Sequence, residues 1–497
     1  MFSFSIYTLG CKLNQLESES IAGAFVRGGF RPVPWEEPGE GSGDEPGERP
    51  GEAHVLVLNT CTVTSKAEQK ARRLIRNALR EHPSACLIIT GCYAQLDGAA
   101  LQALWEDAGG DQNRLFVVSG DHKGKLLELP RFLADASGEG PACSGPLFAP
   151  HPAPHPGPPA GDAGFLPSLI QAWYEGKGTL PRPDRFCFAP GDFLFHSRAF
   201  LKIQDGCDKG CAYCRVSLAR GPSVSPGAEA VLEVLRDLEN RGYGEAVLTG
   251  VNIHQYRSGG LDLGGLLKYL LAHTQTIALR LSSTEPEGLT GDFTGVLRDP
   301  RIRPHFHLSV QSGSPLILKK MRRAYAPEDV EQGAALLRSL RDDPFLACDI
   351  ITGFPGETAG EFEKTYELCR RIGFAWIHAF PYSRRPGTEA YGFKEAVPER
   401  EAALRMDRLL VLAREGRYAY IKRWMGKTVE AIVEAPEKTA APFTAAVSDN
   451  YLKLVIPRDA GQAPFPPGSS LRCRIRAFPD RGDPADYFHF DAIADKI

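Results

Sequence analysis

The sequence predicts an α/β protein in three parts: an N-terminal parallel α/β domain, a central partial barrel of six β/α units, and a small all-β C-terminal domain. Three observations lead there. Strand-like and helix-like segments alternate from residue 2 to about 95 and again from 200 to 382, the pattern of a parallel sheet covered by helices. From about Gly426 onward, apolar and polar residues alternate with turn residues between. A chain of 497 residues is too long for one hydrophobic core, so two to four domains are expected. The predicted boundaries are 1–135, a linker or insertion at 136–195, 196–425 and 426–497.

In the first part, "FSFSIYT" (2–8), "HVLVLNT" (54–60) and "CLIITG" (86–91) read as strands. "LNQLESESIAGAFVRGG" has helical spacing, with Leu16, Ile21 and Phe25 near one face and Gly28-Gly29 as its stop. "KAEQKARRLIRNALREH" is a charged helix. Two stretches break the pattern. Residues 36–52 are acidic and rich in Gly and Pro, so they read as a solvated loop. Residues 145–164 are Pro-dense and exclude a helix or a central strand; His151 and His155 there read as bystanders. Six further strands are predicted at 200–204, 246–250, 278–283, 305–311, 346–353 and 376–382. Helices separate them, such as "AEAVLEVLRDLENRG" with Val231, Leu235 and Leu238 on one face. Six units fall short of the usual eight, and an open barrel leaves a lateral cleft for a large substrate. In the tail, "TVEAIVEA", "AAVSDNYLKLVIP", "LRCRIRAF" and "YFHFDAIA" predict a sandwich or barrel.

Composition excludes several classes. No apolar run approaches the roughly 18 residues of a membrane span, so no membrane partner is expected. The N-terminus lacks the basic start and long apolar stretch of a secretory signal. A reducing, cytoplasmic setting is therefore expected, and the twelve cysteines are not read as six disulfides. The net charge of −3 gives no global sign of a nucleic-acid binder, so any such surface must be local.

Cysteine spacing carries the chemistry. "DGCDKGCAYC" sets Cys207, Cys211 and Cys214 in C-x3-C-x2-C spacing on the loop after the first barrel strand. Structural zinc wants four protein ligands, whereas three thiolates on one loop match an iron–sulfur cube gripped at three corners. The fourth iron is then open to a substrate or cofactor. Cys11, Cys61 and Cys92 each follow the carboxyl end of a predicted strand. In a parallel sheet those ends share one edge, where ligands bind, so the three converge as a second cluster site. Cys86, Cys143, Cys187, Cys348, Cys369 and Cys473 show no such pattern.

The loop "CDKGCAYC", with Tyr213 just before the third cysteine, resembles the radical S-adenosylmethionine (SAM) superfamily. With "TLGCKLNQLESE", "LNTCTVTSKAEQKARR", "TGCYAQ", "LTGVNIHQY", "RLSSTEPE", "HLSVQSGS" and "TGFPGET", nearly the whole chain is similar to the methylthiotransferases. "RAFLKIQDGC" and "LARG" most resemble the branch acting on threonylcarbamoyladenosine in tRNA. The branches acting on isopentenyladenosine, or on an aspartate of a ribosomal protein, match more weakly. "SDNYLKLVI" is similar to the RNA-binding TRAM domain.

The resemblance implies two 4Fe–4S clusters, SAM as methyl donor and as radical source, tRNA as partner, and an external one-electron donor such as flavodoxin or ferredoxin. It leaves the sulfur source open. It also implies methylthiolation at C2 of the adenine next to the anticodon, where an aromatic C–H has no useful acidity and a radical is required.

Softer candidates for cofactor contact are Tyr213, Glu245, Thr249, Gly250, Ser283, Glu285 and Gln311, with Gly353 to Glu357 beyond the fifth barrel strand. Turn chemistry is the competing reading of each. RNA contact is expected at "KKMRR" (319–323), "SRRPG" (383–387) and "YAYIKRWMGK" (418–427). Arg215 departs from the family's apolar run after the third cysteine and is expected near the cofactor. The non-catalytic alternative is a zinc-stabilised RNA-binding protein.

Overall fold

Two five-residue runs explain the N-terminal sheet. In "VLVLN" and "LIITG" every residue except Asn59 is apolar or small, as a strand covered on both faces requires. The structure is a computed structural model. It describes all residues except 1, 36–52, 137–164, 177–183, 189–192, 196, 435–442, 459–462, 464 and 480–489. The acidic loop, the Pro-dense stretch with its histidines, and Cys143 lie outside the described residues. Two compact units form: residues 1–194 with 215–222, and residues 195–214 with 223–497.

The first unit holds a parallel sheet of β1 (Ser3–Thr8), β2 (Arg31–Pro32), β3 (Val55–Thr60), β4 (Cys86–Gly91) and β5 (Leu115–Val117), in the order β2-β1-β3-β4-β5. Alternate side chains feed two cores. Val55, Val57 and Ile88 pack with Phe4, Ile21 and Phe25 on one face. Leu56, Leu58, Leu87 and Ile89 pack with Leu74, Ile75 and Trp105 on the other.

The predicted linker needs correction. Leu166–Gly176 is a helix whose Leu166, Ile170 and Trp173 join the first core, and the Tyr174 hydroxyl donates to the Val117 carbonyl at 3.0 Å. Burying Leu166 and Ile170 contributes about 1.5–3 kcal/mol each, enough to dock a short helix that a Pro-dense neighbour hides from inspection.

The second unit carries β6 (Ala199–Lys202), β7 (Glu245–Thr249), β8 (Ala278–Leu281), β9 (Ser283–Thr284), β10 (His305–Gln311), β11 (Phe345–Thr352) and β12 (Trp376–Pro381). They form two parallel sheets, β6-β7-β8 and β9-β10-β11-β12, with one bridge between Leu279 and Ile302 at the seam. The six expected strands are present, with β9 as a short addition. Beyond the helix Glu399–Trp424 come β13 (Thr428–Val433), β14 (Phe443–Ser448), β15 (Lys453–Pro457), β16 (Ser470–Ala477) and β17 (Ala492–Lys496). They close into a barrel in the order β13-β14-β15-β17-β16.

That small barrel is joined to the amino ends of the β/α strands. Tyr451, in the left-handed region at φ 66°, packs at a tilt against His305 with ring centroids 4.0 Å apart and lies 5.2 Å from the Arg280 guanidinium. Asn450 and Ser448 beside it are buried. The "SDNY" turn therefore seals the barrel floor.

Glu245, expected to meet the cofactor, stands at this same end. Its carboxylate takes Arg280 at 2.6 and 2.8 Å and Arg303 at 3.0 Å. Arg303 continues to Glu430 of the small barrel at 3.0 Å. Glu245 opens its strand rather than closing it, so it sits at the end opposite the catalytic loops, and the cofactor role is withdrawn. Although burial pushes its carboxyl upward, Arg280 and Arg303 outweigh that and hold it at about 2.

Glu245→Gln is expected to leave two buried cations without their countercharge and to cost about 3–5 kcal/mol at neutral pH. The depressed carboxyl contributes stability that is complete above its ordinary 4.5 and is lost as pH falls through about 2. Unfolding midpoints of the two proteins should therefore converge between those values; a constant gap contradicts the assignment.

Candidate active site

Strand register decides where the first cysteines go. Thr8 pairs with Asn59, and Asn59 with Thr90, so these three residues form one row across β1, β3 and β4. Cys11, Cys61 and Cys92 follow that row by three, two and two residues. Cys11 precedes the helix Lys12–Arg27, and Cys92 opens the helix Cys92–Asp107.

Two glycines allow the loops to close. A Cβ on Gly10 (φ 110°) would lie 2.9 Å from the Cys61 Sγ, and one on Gly91 (φ 99°) only 2.2 Å from the Thr60 carbonyl oxygen. Polar side chains lace the loops together. The Asn14 amide donates to the carbonyls of Leu9 and Thr60 at 2.7 and 3.1 Å, and Asn59 donates to the Asn14 carbonyl at 2.9 Å. The Thr60 hydroxyl donates to the Thr90 carbonyl. Beneath them the buried Glu17 accepts from Lys123 at 2.5 Å and from Arg220 at 3.1 Å. Arg220 also donates to the Asn14 side-chain oxygen at 2.9 Å.

Arg220 and Arg215 belong to this unit. Arg215, expected near the cofactor, is instead committed to Asp97 at 3.1 Å and Glu68 at 3.3 Å.

The Cys61 thiol is pushed up to about 12, first by burial, against the pull of the Val63 N–H, and further by Cys11 and Cys92. Thiols become thiolates when a metal cation binds them. Among the described residues no three Cys, His, Asp or Glu side chains are already closed to metal-binding geometry. The fold supplies three convergent loops and a donor set of sulfur alone.

The second trio sits on the loop after β6. Cys207, Cys211 and Cys214 are all partly exposed, and the Cys214 N–H donates to the Cys211 carbonyl at 3.1 Å. Gln204, which sequence reading missed, anchors the start of the loop. Its amide donates to the Asp205 and Gly206 carbonyls at 3.0 and 2.7 Å, and its oxygen accepts from the Asn252 N–H at 2.8 Å. Gly250 lies against it, since a Cβ there would be 2.9 Å from the Gln204 Oε1. Thr249 is buried at the end of β7, and its carbonyl accepts from the Ile203 N–H at 3.0 Å.

Glu285, offered as a ribose ligand, is already engaged: it accepts from Asn252 at 3.3 Å and from Arg323, and lies 3.6 Å from Lys209. Ser283 is exposed. Gln311 closes β10 in the left-handed region, φ 62°, at the catalytic end. Tyr213 packs edge-on against Phe354 at 6.5 Å, so it helps to seat the loop on the barrel core.

The 353–357 turn is committed elsewhere. Glu357 accepts from the Gly353 N–H at 2.8 Å and from Arg405 at 2.6 Å. On β10 to β12, His307 lies 2.9 Å from Asp349 and stacks on His378. Strand alternation was the available signal for these residues.

Of the expected basic clusters, most members are occupied. Lys320 pairs with Glu395, Arg322 with Glu389, Arg323 with Glu285 and Arg423 with Asp343. Arg385 is buried. Arg472, Arg474 and Arg476 alternate along the exposed face of β16, where Arg476 pairs with Asp495 at 3.5 Å. Phe478 beyond them stacks on the exposed Tyr418 at 4.6 Å.

The cysteine loop on a partial β/α barrel defines a radical SAM domain, and the Radical SAM superfamily model matches residues 201–369. The model described as "Uncharacterized protein family UPF0004" matches residues 3–108. The threonylcarbamoyladenosine tRNA methylthiotransferase MtaB of Treponema pallidum is 40% identical, over 96% of this chain and 98% of that protein. A tRNA-2-methylthio-N(6)-dimethylallyladenosine synthase of Koribacter versatilis is 28% identical, over 92% of each. Among solved structures, the radical SAM methyltransferase TsrM of Kitasatospora setae is similar over 78% of this chain and 77% of that one, with TM-score 0.45 and 17% identity. The chain belongs to the threonylcarbamoyladenosine tRNA methylthiotransferase family.

Gly91→Ala should destabilise the protein by more than about 1 kcal/mol, since alanine at positive φ is strained and the new methyl meets backbone. Denaturant midpoints test this. Gly98→Ala, whose Cβ would meet its nearest neighbour at an ordinary 3.4 Å, is the control in the helix that follows.

Proposed function

We propose that this protein adds a methylthio group to C2 of N6-threonylcarbamoyladenosine next to the anticodon of tRNA. The observation that carries the reading is the three-cysteine loop after the first barrel strand, in a chain that shares 40% of its residues with an MtaB from end to end. Cys207, Cys211 and Cys214 would hold a 4Fe–4S cluster, which when bound would supply the electron for reductive cleavage of SAM and so the radical chemistry that an unactivated C2–H requires. Gln204, Asn252 and the Lys209–Glu285 contact keep that loop in place at the barrel's catalytic end. Cys11, Cys61 and Cys92 hold a second cluster, the site of the sulfur that is transferred. Their shared row of strand ends supports this. An external one-electron donor of the flavodoxin or ferredoxin kind serves the barrel site, and the reaction runs in the cytoplasm. Among the described residues no helix is long and apolar enough to cross a membrane.

Anaerobically reconstituted protein should hold about eight irons, and replacing the three barrel cysteines by alanine should remove about half. A colourless protein with stoichiometric zinc overturns the reading. Mass spectrometry of tRNA nucleosides from a deletion strain should show loss of the methylthio mark on threonylcarbamoyladenosine. Loss on isopentenyladenosine instead moves the protein to the other branch.

The β16 arginines with the Tyr418–Phe478 stack are the RNA-contacting face in this reading. Changing Arg472, Arg474 and Arg476 together to Gln should weaken tRNA binding and flatten its salt dependence by roughly 0.7–0.9 for each phosphate no longer neutralised. An unchanged slope places the RNA elsewhere.

A further inference from the structure

The turn "KKMRRAY" approaches the barrel's cysteine loop with unusual backbone control. The Met321 carbonyl accepts from the Ala212 N–H at 3.1 Å, which ties the turn to the residue after Cys211. Arg322 adopts φ 59°, a left-handed conformation that costs an arginine about 1–3 kcal/mol. The two arginines meet different surroundings. Arg322 is exposed and pairs with Glu389 at 2.7 Å, whereas the Arg323 side chain is 4% exposed.

The Arg323 guanidinium is held on every side. Nε donates to the Tyr325 hydroxyl at 3.1 Å, and Nη2 donates to the Ser309 carbonyl at 3.1 Å and to Glu285. Tyr325 in turn donates to the carbonyls of Ser309 and Val310. The remaining nitrogen, Nη1, donates to the Cys211 Sγ at 3.4 Å. An ion pair with Glu285 needs only one edge of the fork, so the contact with sulfur requires its own explanation. A neutral thiol is a weak acceptor, whereas a thiolate makes the stronger charge-assisted bond. This donor therefore matters most when Cys211 is a metal ligand.

We propose that Arg323 is a positioning residue that holds Cys211 as a cluster ligand and raises the reduction potential of the cluster at Cys207, Cys211 and Cys214. The inference rests on the radical SAM reading of that loop. Reduction moves one electron from the reductant to the cluster; no bond forms or breaks and no proton is required. The added negative charge lies beside a fixed, buried cation, so the reduced state gains more than the oxidised one. Hydrogen bonds to the sulfurs and net local charge are established levers on such potentials.

The test uses the full chain with Cys11, Cys61 and Cys92 replaced by alanine, so that only the barrel site reports. The parent, Arg323→Gln and Arg323→Lys are reconstituted anaerobically, assayed for iron and titrated with dithionite and mediators under EPR. About four irons are expected in each. The midpoint should shift to more negative potential in Arg323→Gln, and by less in Arg323→Lys, which keeps the charge but loses the fork. Equal midpoints at full iron content, or a positive shift, overturn the inference. Should Arg323→Gln fail to fold, the Arg323→Lys midpoint decides by the same criterion. A parent that binds no iron refutes the reading of the loop itself, and is thereby distinguished from failure of the arginine's role.

Discussion

The row Thr8–Asn59–Thr90 is the constraint on which the first unit depends. Because β1, β3 and β4 run parallel and in that register, whatever follows them emerges on one edge, and three cysteines separated by 50 and 31 residues become neighbours. A slip of one residue in β3 would turn Asn59 to the other face and move Cys61 out of the group. The barrel uses the same rule more locally. All three of its cysteines follow a single strand, so their grouping depends on one loop rather than on agreement among three.

That difference explains how polar residues are spent. The long-range trio sits over a buried lattice of Asn14, Glu17, Asn59, Lys123 and Arg220. Buried ion pairs are often no better for stability than well-packed apolar side chains, because desolvation offsets the attraction. Their value here is directional. Asn14 can satisfy both Leu9 and Thr60 only when the first two loops are in place, and an apolar core tolerates small slippage that these hydrogen bonds do not. The helix Lys12–Arg27 shows the consequence. It is buried nearly all round, with Glu17 and Glu19 inside, although its spacing marks out one apolar face at Leu16, Ile21 and Phe25.

Strand ends and cysteine spacing were legible because both follow from local rules: period-two apolar runs, and ligands at the carboxyl edge. What was not legible depended on partners distant in sequence. Glu245 looked like a site residue until Arg280, Arg303 and the small barrel supplied its countercharges. Arg323 looked like one member of an RNA-binding cluster, and only its 112-residue separation from Cys211, closed in three dimensions, shows otherwise. The helix at 166–176 was concealed by the prolines before it. The arginine stripe on β16 is readable from "RCRIR", since alternate residues of a strand share a face.

The barrel carries two buried ion clusters, and strand polarity separates their roles. At the amino ends, Glu245 with Arg280 and Arg303 meets Tyr451 and Glu430, and every charge is matched by protein. At the carboxyl ends, Glu285 is shared by Arg323 and Lys209, while Lys209 also reaches Glu287. There the pairing is balanced before the sulfurs are counted, and one guanidinium nitrogen is already spent on Cys211. That contact places a fixed positive group against a sulfur that becomes negative when it binds metal. The floor cluster has no sulfur to serve. The same kind of ion pair therefore secures the structure at one end and bears on the chemistry at the other, and the direction of the strands distinguishes the two.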